Sequence, residues 1–317
     1  MNVTPAIARR LDALADPTGV IVGAAVDHRD SMQEVLRRRG IEDWDAARLS
    51  AFKQLVARIL APSASLVLLD VEYAAAQALA AGALPGDTAL AIPLEAQGYE
   101  QLGGGPATTL LDGWDAARSA WLGADGCKLL LPFRVDRPQH AARQERVAAA
   151  AAKQLHAAGI ALILEPIVFP DEAEPLDDAR FGDLVVEGAA RLRATGADVL
   201  KVQYPRTSDG CRAITEACGR TPWILLGGGA IRDELEAQVA DACRGGASGF
   251  AVGRTLWNDA IVPDAGEAER ILREQSLPLL RRLAYVARAE ATPWRERVVA
   301  VPAPAVGWHR EGVGAAA

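Results

Sequence analysis

Four lysines occur among the 317 residues, against thirty arginines, and two of the four lie inside apolar runs that read as buried strands. They are Lys128, in Cys127-Lys128-Leu129-Leu130-Leu131, and Lys201, in Asp198-Val199-Leu200-Lys201-Val202. An amine in a strand interior must be desolvated or paired. Desolvation lowers a lysine's pKa and leaves a nucleophile near neutral pH. Pairing makes it a structural cation that reaches a carboxylate at the strand end. Two such lysines at matching strand positions favour chemistry. Glu165, set between Leu162-Ile163-Leu164 and Pro166-Ile167, adds a carboxylate able to shuttle protons.

These groups need a frame that brings separate strands to one place. Eight short β-rich runs punctuate the chain, at 20–26, 66–70, 89–94, 126–131, 161–167, 199–203, 223–226 and 249–252. Helical patterns such as 139–158, 177–195 and 231–244 lie between them, two of them running into glycine stops at Gly159 and Gly245-Gly246. Strands alternating with helices indicate βα units on a parallel sheet, and eight such units indicate a closed barrel. The expected fold is α/β: a single (β/α)8 TIM barrel over residues 20–292. A helix precedes it within 1–19, closing the barrel bottom or meeting another subunit, and an irregular tail follows over 293–317. The glycine run Gly103-Gly104-Gly105-Pro106 and the acidic run 171–178 read as loops on the face where the strands end.

Composition excludes several function classes. Half the residues are hydrophobic and only 5% aromatic, which suits helices packed on a parallel sheet better than an aromatic-rich sandwich. A net charge of −7 with a pI near 5.3 disfavours nonspecific binding to nucleic acid or an anionic membrane. The N-terminus shows no charged segment followed by an apolar stretch, and no apolar run reaches spanning length, so the cytoplasm is the expected compartment. Cys127, Cys211, Cys218 and Cys243 form no Cys-x-x-Cys pair, and His28, His140, His156 and His309 show no ligand spacing. No metal or other cofactor is expected.

In a βα barrel the functional side chains come from the C-terminal strand ends, which meet at one mouth. Here those ends carry Asp27, then Asp70 and Glu72, Glu95, Lys128, Glu165, Lys201, Gly227-Gly228-Gly229, and Gly253-Arg254. Asp70, Glu72 and Glu95 could equally cap helices or pair with arginines. The glycine turn before the helical pattern 231–244 can cradle an anion on backbone N–H groups, and the Arg254 guanidinium can add a charged fork. The loops after the seventh and eighth strands are the recurrent phosphate site of this fold. A lysine amine condenses with a ketone to an iminium, an electron sink for breaking the adjacent carbon–carbon bond.

With these residues placed, the chain resembles the class I tagatose 1,6-bisphosphate aldolases and the related sulfofructosephosphate aldolases, over about residues 20–294. The carrying segments are Ala25-Val26-Asp27-His28-Arg29, Leu68-Leu69-Asp70-Val71-Glu72-Tyr73, Asp125-Gly126-Cys127-Lys128-Leu129-Leu130, Leu164-Glu165-Pro166, Ala197-Asp198-Val199-Leu200-Lys201-Val202 and Val252-Gly253-Arg254-Thr255-Leu256-Trp257. The resemblance implies Lys201 as the Schiff-base lysine, Glu165 as acid/base and Lys128 as a supporting cation. It implies a substrate site of Asp27, His28, Arg29, Gly227, Gly228, Gly253 and Arg254. It implies a phosphorylated, or sulfonated, sugar as ligand and a homo-oligomer as assembly. Two departures stand out: His28 where the family usually shows glutamine, and Gly228 where a serine is expected.

The expected activity is cleavage of a ketose of the tagatose 1,6-bisphosphate type to dihydroxyacetone phosphate and a three-carbon aldehyde. The alternative substrate is 6-deoxy-6-sulfofructose 1-phosphate. Two further readings keep the barrel: an isomerase or epimerase working through carboxylates, and a sugar-phosphate sensor without turnover.

Overall fold

The computed structural model describes residues 3–41, 44–171, 174–298 and 306–307. Eight parallel strands close into a barrel: β1 (Ile21–Ala25), β2 (Leu66–Leu68), β3 (Ala89–Pro93), β6 (Gly126–Pro132), β7 (Ala161–Ile167), β8 (Val199–Gln203), β9 (Trp223–Leu226) and β10 (Gly249–Val252). Two short strands, β4 (Glu100–Leu102) and β5 (Gly105–Ala107), form an antiparallel hairpin apart from it. The glycine run at 103–106 is therefore the turn and second strand of a hairpin, where the sequence suggested a plain loop. Glycine supplies the left-handed backbone that this turn uses at Gly104 (φ 104°).

Each barrel strand has two apolar faces, as parallel strands covered by helices must. In β7 the alternation sends Leu162 and Leu164 outward to the helices and Ala161 and Ile163 into the barrel; in β8 it sends Leu200 and Val202 outward and Val199 inward. Closure joins β1 to β10 with Ile21 opposite Gly249. Gly249 takes φ 135°, and a Cβ there would lie 1.9 Å from the Ile21 carbonyl oxygen, so only glycine fits this seam.

The first helix, Pro5–Leu14, starts at a Thr4 cap and buries Ile7, Leu11 and Leu14 against the inward residues of the barrel bottom. Arg10 ties it down through Asp125 at 2.8 Å. It closes the bottom. The tail also begins differently from expectation: Trp294–Arg297 is a short helix whose Trp294 is buried in the same bottom cluster, held by a bond from its N–H to the Gly19 carbonyl at 3.0 Å. The rest of the tail, His309 included, lies outside the described residues apart from 306–307. Among the described residues no helix is long and apolar enough to cross a membrane.

Candidate active site

Strand parity carries the chemistry to the mouth. Ile163 points into the barrel, so Glu165 two residues on does too; Val199 places Lys201 likewise. At the C-terminal ends of the strands these inward positions border a cavity of about 810 Å³, a size suited to a small-molecule ligand. Its wall includes Asp27, His28, Glu95, Lys128, Glu165, Lys201, Gly228, Gly253 and Arg254. Another cavity, about 800 Å³, opens at the opposite end beside Asp16, Arg281 and Arg288, remote from the lysines.

The two lysines have different surroundings. Lys128 Nζ lies 2.8 Å from Asp27 Oδ2, contacts Glu95 Oε1, and lies 3.6 Å from Glu165 Oε2. Burial opposes its charge, but the carboxylates of Asp27, Glu95 and Glu165 outweigh that and hold Lys128 well above the ordinary lysine range. It stays an ammonium. Lys201 Nζ donates to Glu165 Oε2 at 3.1 Å, and its side chain is only 4% exposed. For Asp27, burial opposes the charge, but the ammonium groups of Lys128 and Lys201 overcome it, and the net shift is downward. For Glu95, burial prevails over Lys128, with Asp27 and Glu165 adding to it, and the shift is upward.

A family model for DeoC/LacD family aldolases matches residues 21–259, the whole run from the first barrel strand to just past the eighth. The chain belongs to the DeoC/LacD family of aldolases. It is a class I aldolase of that type, a carbon–carbon lyase. Curated relatives include tagatose 1,6-diphosphate aldolase 2 of Streptococcus mutans, 26% identical over 319 residues with 91% of this chain and 96% of the relative covered. Another is the tagatose 1,6-diphosphate aldolase of Streptococcus pneumoniae, 27% identical over 324 residues, covering 91% and 97%. Among solved structures, a Schiff base forming fructose-1,6-bisphosphate aldolase aligns at a TM-score of 0.62 and 15% identity, covering 89% of this chain and 99% of that one. A Corynebacterium glutamicum protein, Cgl0159, aligns at 0.62 and 20%, covering 90% and 92%. These two speak for the shared barrel.

Two residues expected in the substrate site stand elsewhere in this aldolase. Arg29 is buried, its Nη1 on Glu72 Oε1 and its Nη2 on the Glu95 carbonyl, both at 2.7 Å. Its two terminal nitrogens brace the ends of β1, β2 and β3, while its Nε is buried without a hydrogen-bond partner among the described residues. Gly227 faces Val252, whose side chain would lie 3.0 Å from a Cβ there, so it packs β9 on β10 while Gly228 and Gly229 border the cavity. His28 does reach the wall. Its ring packs edge-on against Trp257 at 5.1 Å, and its Nδ1 is 3.6 Å from Asp27 Oδ1. Burial pushes it down to about 3 despite the pull of Asp27, which leaves the ring neutral. A Cβ at Gly253 would lie 2.6 Å from the His28 ring.

Lys53 was missed by the sequence reading. It sits on the helix Ala46–Leu60 among Leu49, Phe52, Val56 and Leu60, and that spacing puts it in the apolar stripe. The stripe was the available signal. Its Nζ donates to Asp70 and, at 2.7 Å, to the His28 carbonyl, so a fully buried ion pair supports the backbone of Asp27-His28-Arg29. Gln97, Tyr99 and Gln101 also border the cavity, and the hairpin carrying Gln101 is docked by His140 Nε2 on the Pro106 carbonyl at 2.7 Å.

Proposed function

We propose that Lys201 is the Schiff-base nucleophile and Glu165 its proton shuttle, in an aldolase that cleaves a phosphorylated ketose to dihydroxyacetone phosphate and an aldehyde. The observation that carries this reading is the contrast between the lysines: Lys128 is claimed by three carboxylates, while among the described residues the carboxylate within ion-pair distance of Lys201 is that of Glu165, at 3.1 Å. An amine must shed a proton to attack, and Glu165 is placed to take it.

In the proposed cycle the Lys201 amine adds to the C2 carbonyl, and water leaves with a proton returned by Glu165. The C4 hydroxyl then gives its proton to Glu165 while the C3–C4 bond breaks. Its electron pair passes into the iminium and forms an enamine, and the aldehyde departs. Protonation at C3 and hydrolysis of the iminium release dihydroxyacetone phosphate and restore the amine. Lys128 keeps Asp27, Glu95 and Glu165 in place as a fixed cation. Arg254, with the Gly228-Gly229 turn, binds the phosphate on C1. The relatives named as tagatose 1,6-diphosphate aldolases support a ketose phosphate as the substrate class.

Borohydride reduction in the presence of dihydroxyacetone phosphate tests the assignment. A three-carbon phosphate adduct is expected on Lys201 and nowhere else. A label on Lys128, or none, sinks it. Lys201→Arg should neither label nor turn over, because a guanidinium stays protonated.

A further inference from the structure

In the layer of side chains just above the reacting pair, an amide stands among apolar neighbours. The register that sets Leu164 beside Leu200 puts Glu165 level with Lys201 and, two residues on, Ile167 level with Gln203. Pro132, opposite Ile167, and Leu226, opposite Gln203, continue the same layer. All four border the cavity. Gln203 shares the inward face of Lys201 and stands roughly 7 Å farther along β8, two residues of strand. A polar group so placed asks for a partner.

The fold supplies a partner to half of the amide. Gln203 Oε1 accepts from the Val168 N–H at 2.7 Å. A backbone N–H can only donate, so this bond fixes which end of the amide faces it, using the oxygen and leaving the NH2. Among the described residues that NH2 meets no acceptor. The direction of the bond matters as well. Val168 follows β7, and β8 lies between β7 and β9, so the amide leans toward the Glu165 side, away from the ends of β9 and β10 that carry Gly228 and Arg254. In the cycle above, C1 lies with Arg254, C2 with Lys201 and the C4 oxygen with Glu165. The part of the substrate that passes Gln203 is then the aldehyde half, beyond C4. Leu130, Pro132, Ile167 and Phe169 wall that side, and a fixed donor in apolar surroundings orients what it binds.

We propose that Gln203 is a specificity-determining residue for the aldehyde half, its NH2 donating to a hydroxyl oxygen beyond C4. The inference rests on the reading of Lys201, Glu165 and Arg254 given above. A purely structural amide would do no more than splice the end of β7 to β8. The two roles differ in what they do to the choice of aldehyde.

The test runs the reaction in the direction of addition, with dihydroxyacetone phosphate as donor and two uncharged three-carbon acceptors, D-glyceraldehyde and propanal, which differ in their hydroxyls. For the native enzyme kcat/KM should be at least about tenfold higher with glyceraldehyde, the scale of discrimination by polar contacts. Equal values overturn the proposal without any variant. Gln203→Met keeps the length of the side chain and loses the donor, and it should shrink the ratio by at least about fivefold. A loosened splice slows both acceptors alike, so an unchanged ratio overturns the proposal. Gln203→Leu is the second variant, and failure of both to fold makes the amide structural and overturns it too. Borohydride labelling of Lys201 by dihydroxyacetone phosphate involves no aldehyde. It therefore reports the underlying reading separately, and absence of the label removes that reading and this one with it.

Discussion

Lys201 Nζ lies 3.1 Å from Glu165 Oε2, across the two adjacent strands β8 and β7. The same carboxylate oxygen is 3.6 Å from Lys128, so one acid stands between a lysine held by three carboxylates and a second lysine that it pairs with itself. The expected consequence is sharp for catalysis and mild for folding. Glu165→Gln keeps the shape and loses the base, and turnover should fall by at least about two orders of magnitude, as for other general acid–base groups. Near-native turnover with intact circular dichroism would return Glu165 to a packing role.

Arg254→Ala removes the charged end of the mouth. A charge-assisted hydrogen bond is worth about 1.5–3 kcal/mol, so kcat/KM should drop roughly tenfold to a hundredfold. Borohydride trapping at high dihydroxyacetone phosphate should still label Lys201. Loss of labelling at every concentration would place Arg254 in the chemistry instead.

Lys53 and Asp70 are both buried without exposure, and breaking such a pair strands a charge. Lys53→Met should cost about 3–5 kcal/mol in denaturant unfolding. The double variant Lys53→Met/Asp70→Leu should recover most of that, because neither charge remains. A single variant as stable as the native chain would show that Asp70 takes up a proton at little cost, in line with the upward push that burial gives it.

His156 Nε2 meets Asp198 Oδ2 at 2.9 Å, and this hydrogen bond, against partial burial, raises the histidine above its ordinary value. A raised folded pKa stabilises the fold most when both folded and unfolded forms are protonated, below about pH 6.5. That contribution is lost as pH rises through the higher folded value. The melting temperature of His156→Gln should therefore lack the fall seen for the native chain over that window. Identical slopes for the two proteins would exclude the pair as a source of pH dependence.

The barrel was legible because its signals are local and repeated. All eight expected strands occur, with shifts only at their ends, as at 66–70, where the observed strand is Leu66–Leu68. Lys128, Glu165 and Lys201 stood out as charges in apolar runs, and strand alternation alone puts them on one face. The pairing of Glu95 with Lys128 was not legible, since it joins β3 to β6 across the hairpin and an acid at a strand end has several common fates. Arg29 misled for the opposite reason: it stands next to two wall residues in sequence, yet its long side chain turns back to Glu72. Lys53 lies on a helix, where one lysine in an apolar stripe resembles a boundary residue. The hairpin was hidden because three glycines favour a turn without declaring what flanks it.

The seam between Ile21 and Gly249 bears on how the chain is made. β1 leaves the ribosome first among the barrel strands, and its partner on one side is the last to follow. Until β10 arrives, β1 presents an open sheet edge of unpaired amides and carbonyls, the kind of surface that recruits other strands. Asp27, at the end of β1, waits for Lys128 over the same interval. Newly synthesised chains should thus need shielding until residues near 250 have emerged, and shorter fragments should aggregate rather than fold.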